Sequence, residues 1–198
     1  MQGRRWVYVV AGWSGFAVMA IELLSGRTLA PDFGNSIYVW GAVITVFMLA
    51  LAVGYLIGGQ LSVLSPSLTK LGAILLAAAA ALSPVLFLGE PVLNWIFDNM
   101  DDPRYGSLLG SSALFFLPTV VLGVVAPYAI RLLASDARVS GKSAGLLYFV
   151  STFGSAAGTL ATSFYLVLLF ELNQLYLGLI GITAAIGLVT ILIGRRTP

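Results

Sequence analysis

The stretch IYVWGAVITVFMLALAVGYLIGGQ, residues 37–60, contains no charged side chain. A helix needs about 20 predominantly apolar residues to cross the hydrocarbon core of a bilayer, and this stretch is long enough. Other apolar runs along the chain meet the same length requirement. We therefore predict an all-α integral membrane protein, a single domain over 1–198 with six transmembrane helices at 6–24, 37–60, 68–89, 106–133, 144–170 and 172–194.

The composition supports the membrane class and excludes several kinds of chemistry. Hydrophobic residues make up 59% of the chain and charged residues 9%, against about 45–50% and about 25% in soluble domains. The apolar runs take up nearly the whole chain, so we expect no soluble catalytic domain within it. There is no Cys and no His, which argues against thiol, haem and zinc chemistry, and we expect no cofactor and no metal site. The basic residues are scattered over short loops and form no continuous stripe for nucleic acid.

The distribution of charge predicts the orientation. Six helices place both termini on one side, and Lys and Arg near helix ends favour the cytoplasm. If the N-terminus is cytoplasmic, eight of the ten basic residues lie inside and seven of the eight acidic residues lie near or beyond the outer interface. We therefore predict cytoplasmic termini and the inner membrane of a prokaryote. The basic residues inside would be Arg4, Arg5, Lys70, Arg131, Arg138, Lys142, Arg195 and Arg196.

The longest outer connection, EPVLNWIFDNMDDPRYG over residues 90–106, carries apolar residues at helical spacing with acidic residues on the opposite face. This pattern predicts a short interfacial helix around 91–100, with Pro91 in its first turn. Two interpretations remain open. The segment is either a solvated loop or an acidic lid that gathers cations outside the membrane.

Small residues mark two of the predicted helices as packing elements. Gly141 and Gly145 form one small-xxx-small unit in the fifth helix, and Gly154 and Gly158 form a second, so we expect this helix to be central. Gly54 and Gly58 repeat the spacing in the second helix. Glycines at this spacing let two helix backbones approach closely, which explains packing without specifying a function.

Two prolines, Pro118 and Pro127, predict kinks or a break in the fourth helix. Proline-broken helices often border transport sites, yet prolines also occur in static membrane helices. Both interpretations remain open.

Glu22 and Arg27 are opposite charges near the outer end of the first helix, and we expect Gly26 between them to end that helix. A charge at membrane depth normally finds a partner. We predict a direct or water-bridged ion pair that fixes the turn into the second helix. The alternative is that Glu22 faces a polar cavity, where it would hold an amine or carry a proton.

Three basic residues surround the connection between the fourth and fifth helices. They would either attract anionic lipid or form a docking surface for a soluble protein. They are Arg131, Arg138 and Lys142.

Two blocks, residues 20–59 and 117–160, resemble the membrane portion of the spermidine-synthase-like membrane proteins, which are often fused to a soluble synthase domain. The chain departs from the family pattern at Ser151, where members commonly have Asn, and no Rossmann-like aminopropyltransferase sequence follows. The matching positions in the first block are Glu22, Arg27, Gly34, Ser36, Tyr38, Gly54, Gly58 and Gly59. Those in the second are Pro118, Gly123, Pro127, Gly145, Tyr148, Thr152, Gly154, Ser155 and Gly158.

The resemblance implies a non-catalytic membrane scaffold for a synthase-like or methyltransferase-like enzyme. Six helices also resemble half of a major-facilitator-type transporter. Besides the lipid bilayer, we therefore expect the chain to have a protein partner, either a second membrane chain or further copies of itself. The alternative function is a transporter or channel subunit for a small cation or polyamine, with Glu22 and Glu171 as binding carboxylates. An intrinsic membrane enzyme would lack an evident nucleophile and base. The candidate polar site is Glu22, Arg27, Ser36, Tyr38, Tyr148, Thr152 and Glu171.

Overall fold

Helices form nearly all of the structure, a computed structural model that describes residues 2–133 and 137–196, except for the side chains of residues 2 and 137–140. No strand occurs in these two ranges. A π-helical turn, Thr162–Leu166, interrupts the chain between the sixth and seventh helices. The helices are α1 (Gln2–Phe33), α2 (Ile37–Leu61), α3 (Leu68–Leu82), α4 (Val85–Asn99), α5 (Pro103–Leu133), α6 (Ala137–Ala161), α7 (Val167–Leu169) and α8 (Leu172–Arg196).

The predicted all-helical membrane class is confirmed. Five helices are long and apolar enough to cross a bilayer, or six if α3 and α4 are counted as one span bent by 43°. Successive membrane-length segments alternate in direction, with α3 and α4 running the same way, which gives the bundle two ends. At the Arg4 end, the Arg4 guanidinium donates a hydrogen bond to the carbonyl of Leu133 at 3.2 Å. At the Phe33 end, the ring of Phe33 packs edge-on against Phe97 with centroids 6.1 Å apart.

The first helix is longer than predicted. It continues past Glu22 and Arg27 and ends at Phe33, where Gly34 adopts a φ of 76°. The N–H of Gly34 donates to the carbonyl of Ala30 at 2.9 Å, a left-handed glycine cap of the kind that ends many helices. Gly26 does not end the helix. It lies inside α1, where the absence of a side chain lets Trp40 of α2 pack closely. A Cβ at Gly26 would lie 2.8 Å from the indole of Trp40.

The third predicted helix and the interfacial helix are divided differently in the structure. The break falls at Ser83 and Pro84, and α4 then runs from Val85 to Asn99 with Pro91 inside it. The predictions of a helix over 68–89 and of a separate helix around 91–100 are therefore wrong in their boundaries. Proline lacks the backbone N–H that would continue the α3 ladder, so Pro84 is the position at which the direction changes.

The core lies where α1 and α5 meet their neighbours. The α1 helix packs against α5, α6 and α8, while α5 also packs against α2 and α3. The expectation that the fifth membrane segment is central is wrong. That segment begins in α6, and 11% of the residues in its most apolar part are buried. In the most apolar part of α5, 61% of the residues are buried. One side of the α6 helix packs against α1, and the rest of the helix is largely exposed.

The glycines form two close helix contacts. A Cβ at Gly58 would lie 2.6 Å from the ring of Pro127 in α5, and one at Gly158 would lie 2.5 Å from the carbonyl of Phe16 in α1. A Cβ at Gly54 would come closer still to the backbone of α5, and one at Gly154 closer still to that of α1. Gly145 does not share this role, since a Cβ there meets no atom of the described chain within 4 Å.

The α5 helix is not interrupted at its prolines. It runs from Pro103 to Leu133 with Pro118 and Pro127 inside, so the break that we considered from the sequence is not present. Pro118 is buried and Pro127 is half-buried. Protein therefore covers much of the backbone that a proline leaves without a hydrogen bond, as membrane depth requires.

Candidate functional site

Glu22 and Arg27 lie on different sides of α1. Residues five apart in an α-helix are rotated by about 140°, so their side chains diverge. Among the side chains that the structure describes, the only ion pair is Arg104 with Asp102, at 2.6 Å. The predicted direct pairing of Glu22 with Arg27 is therefore wrong.

Arg27 has a different partner from the one predicted. Its guanidinium Nη1 donates to the backbone carbonyl of Val167 at 3.3 Å, which ties α1 to α7. Glu22 is half-buried, and its carboxylate accepts no hydrogen bond from any group in the described part of the chain. The Glu22 backbone carbonyl does accept one, from the hydroxyl of Ser25 at 2.7 Å.

Ser36 and Tyr38 lie at the Phe33 end. Ser36 is the N-cap residue of α2, although its side chain makes no capping hydrogen bond. The Arg104 guanidinium lies 5.8 Å from the centroid of the Tyr38 ring. Arg104 also donates hydrogen bonds to the carboxylate of Asp102, which hold the pKa of that carboxyl below its ordinary value. This contact is a surface link between α2 and α5.

The remaining candidate residues do not join this cluster. Tyr148 and Thr152 are exposed on α6. Glu171 is exposed between α7 and α8, where its backbone N–H donates to the side-chain oxygen of Gln174 at 3.1 Å. The polar residues singled out from the sequence therefore do not converge on one site.

Neither carboxylate lines the cavity beside α1. A cavity of about 360 Å³ lies between α1, the π turn and α8, and neither Glu22 nor Glu171 lines it. Within the part of the chain that the structure describes, no group of three or more acidic side chains is placed to hold a metal ion.

The basic residues form an exposed surface at the Arg4 end. Arg131 and Lys142 are exposed at the end of α5 and the beginning of α6. Arg5, Arg195 and Arg196 are exposed at the same end of the bundle. The predicted partner surface also included Arg138, whose side chain lies outside the described residues.

The structure adds a buried polar contact that sequence reasoning missed. The hydroxyls of Thr28 and Tyr176 lie 2.8 Å apart, and Tyr176 is almost fully buried. Thr28 donates its own proton to the carbonyl of Leu24 at 2.9 Å, so Tyr176 is the donor to Thr28. No local pattern indicates a partner so distant along the chain.

We expect Tyr176→Phe to lower the free energy of unfolding by about 1 kcal/mol, because it removes one buried hydrogen bond and keeps the ring in place. This corresponds to a decrease of about 2–4 °C in Tm, measured by thermal unfolding in detergent. The matched control is Tyr165→Phe, since that side chain is 66% exposed. Equal melting temperatures for the two variants would show that the Thr28 contact is not stabilising.

Comparison with protein-family models finds no match, and neither do comparisons with curated proteins and with solved structures. The fold and the sequence place the chain in the class of multi-helix membrane proteins.

Proposed function

We propose that this chain is a six-span membrane scaffold with cytoplasmic termini, which binds a further membrane chain through α6 and a soluble synthase-like enzyme at the Arg4 end. The observation that carries the proposal is the exposed face of α6. This face bears small residues that none of the other described helices covers.

The path of α3 and α4 supports six crossings. Leu68, at the beginning of α3, lies against Gly3 at the beginning of α1. Phe97, near the end of α4, contacts Phe33 at the other end of α1. The bent pair thus spans the same length as α1, as one transmembrane segment would. The basic residues at the Arg4 end then favour the cytoplasm for both termini.

The exposed face of α6 supports a partner within the membrane. Gly145, Thr152 and Ala156 are all exposed and fall within about 40° of one another around the helix axis. Small residues bring no advantage toward lipid, whereas they allow a second helix to approach closely. Gly145 still has this space available, because a Cβ there would meet nothing within 4 Å.

The charge at the Arg4 end supports a soluble partner with an acidic surface. Lys142 lies one turn before Gly145, so the basic surface and the small-residue face are adjacent. The synthase-like class of this partner comes from the family resemblance of residues 20–59 and 117–160. Complementary charge would speed the encounter of the two proteins and fix their orientation.

A transporter of small cations or polyamines is the second candidate, and Glu22 is the observation in its favour. A half-buried carboxylate without a protein partner in a membrane helix is a functional candidate by default. Transport by Glu22 and Glu171 together has less support, because neither residue lines the cavity between α1 and α8.

We expect Gly145→Leu to leave the isolated chain stable. The same change should reduce co-purification of its membrane partner by about tenfold or more, and a tenfold reduction corresponds to a loss of about 1.4 kcal/mol in binding free energy. The reason is that a leucine would separate the two helix backbones. The measurement is mass spectrometry of the proteins retained after gentle extraction from native membranes. Gly59→Leu is the control, since a Cβ at Gly59 also meets nothing within 4 Å but lies on α2. Equal retention by both variants would contradict the proposal.

A further inference from the structure

A separate cavity lies at the Phe33 end, where α1 nears its end and α2 begins. Its volume of about 400 Å³ falls within the usual range for small-molecule sites. A charged, an amide and an indole side chain all lie in its walls, and the proposed function makes no use of them. The lining residues are Gly26, Arg27, Ala30, Pro31, Asn35 and Trp40.

Two contacts hold the walls of this cavity in place. A Cβ at Gly26 would lie 2.8 Å from the indole of Trp40, so α1 and α2 approach closely beside the cavity. The Trp40 indole N–H in turn donates to the side-chain oxygen of Asn35 at 2.6 Å. Because the indole occupies that oxygen, the amide N–H groups of Asn35 point elsewhere, and they have no hydrogen-bond partner in the described part of the chain.

Arg27 gives the cavity a positive charge. Its guanidinium donates one hydrogen bond, to the carbonyl of Val167, and most of its N–H groups remain available. It has no carboxylate partner among the described side chains. The carboxylates of Glu22 and Asp32, each five residues away in α1, are rotated by about 140° from Arg27 and do not line this cavity.

We propose that this cavity binds a phosphate group, with Arg27 and Asn35 as its hydrogen-bond donors. The positive charge and the free N–H groups favour an anion over a cation, since no carboxylate among the described residues lines the cavity. A guanidinium binds two oxygens of a phosphate or of a carboxylate in its planar fork. A phosphate presents further oxygens in another direction, where the amide of Asn35 can donate to one.

The position of the cavity allows two sources of phosphate. Arg27 comes just after the apolar run 6–24, and Trp40 lies in the first turn of α2. Tryptophan is enriched where membrane helices meet water, at the depth of the lipid headgroups. The phosphate therefore belongs either to the headgroup of a membrane lipid or to a soluble compound in the adjacent solution.

The test is isothermal titration calorimetry of the delipidated full chain in a nonionic detergent, with short-chain phosphatidylglycerol and inorganic phosphate as separate titrants. We expect one saturable site per chain. Binding of phosphatidylglycerol alone would assign the site to a lipid headgroup, and binding of inorganic phosphate would assign it to soluble compounds as well. Arg27→Gln and Asn35→Asp should each weaken the binding at least tenfold. Asn35→Asp keeps the acceptor for Trp40 and replaces the amide donors with a negative charge at an exposed position.

The matched control is Arg104→Gln, which removes a positive charge from the same end of the bundle. Arg104 is paired with Asp102 and does not line this cavity, so the variant should bind as the unmodified chain does. The absence of saturable binding for both titrants would overturn the proposal, as would undiminished binding by Asn35→Asp. An equal loss in Arg104→Gln would also overturn it, because general attraction between charges would then explain the binding.

Discussion

Gly154→Leu is expected to lower the Tm of the isolated chain by about 5–10 °C, the largest effect of any single change on α6. A Cβ at this position would overlap the carbonyl of Gly12 in α1, and its nearest contacts are backbone atoms, which cannot rotate away. Overpacking at a close contact typically costs about 1–3 kcal/mol, and a full leucine at a backbone contact lies at the upper end. Thermal unfolding in detergent measures the effect.

The control for this experiment is Gly145→Leu in the same helix. A Cβ at Gly145 meets no atom within 4 Å, so the isolated chain should melt at the unmodified temperature. The α6 helix docks mainly on α1, and the contrast between the two variants tests that contact directly. A similar loss of Tm in both would show that the contact with α1 is not its cause; helix propensity would not explain it either, because leucine favours a helix more than glycine does.

Gly54→Leu should have a comparable effect on the contact between α2 and α5. A Cβ at Gly54 would lie 2.9 Å from the Cα of Gly123, and Gly123 itself has Gly54 and Leu51 against it. A leucine must push the two helices apart along the seam that also contains Gly58. We expect a loss of about 2–3 kcal/mol, seen as early melting and as rapid proteolysis between α2 and α3.

The matched control is Gly59→Leu, which adds the same side chain to α2 where nothing lies within 4 Å. It should melt as the unmodified chain does. Normal melting of Gly54→Leu would show that the α2 contact with α5 is looser than described.

The apolar runs predicted most of the helices that are long and apolar enough to cross a membrane, and the physics of membrane depth explains why. A bilayer accepts long apolar helices and little else, so length and hydropathy are sufficient to identify them. The helix ends were harder to predict. Gly26 suggested an early end for α1, but the helix ends where Gly34 adopts positive φ. Pro84, and not Pro91, changes the direction of the third segment.

The position of α6 could not be read from its composition. Its glycines indicate close packing, yet they do not tell how many neighbours the helix has. Gly154 and Gly158 contact α1, whereas Gly145 faces open space. The same small-residue pattern therefore describes both an internal contact and a surface on which a partner would dock.

The candidate polar site was the least predictable part of the chain. Arg27 and Val167 are 140 residues apart, and Thr28 and Tyr176 are 148 apart. Contacts at such separations depend on how the helices assemble, which a local pattern does not encode. The proximity of Glu22 and Arg27 in sequence was misleading because helix geometry turns them to different sides.

Site-specific photocrosslinking from Thr152 tests the scaffold proposal most directly. A benzophenone side chain replaces Thr152 on the exposed face of α6, and native membranes are irradiated and examined by mass spectrometry. The control position is Met48 of α2, which is 66% exposed and lies away from α6. The scaffold proposal predicts a discrete adduct with a second protein chain from Thr152 and none from Met48. Adducts with lipid alone at both positions would contradict it.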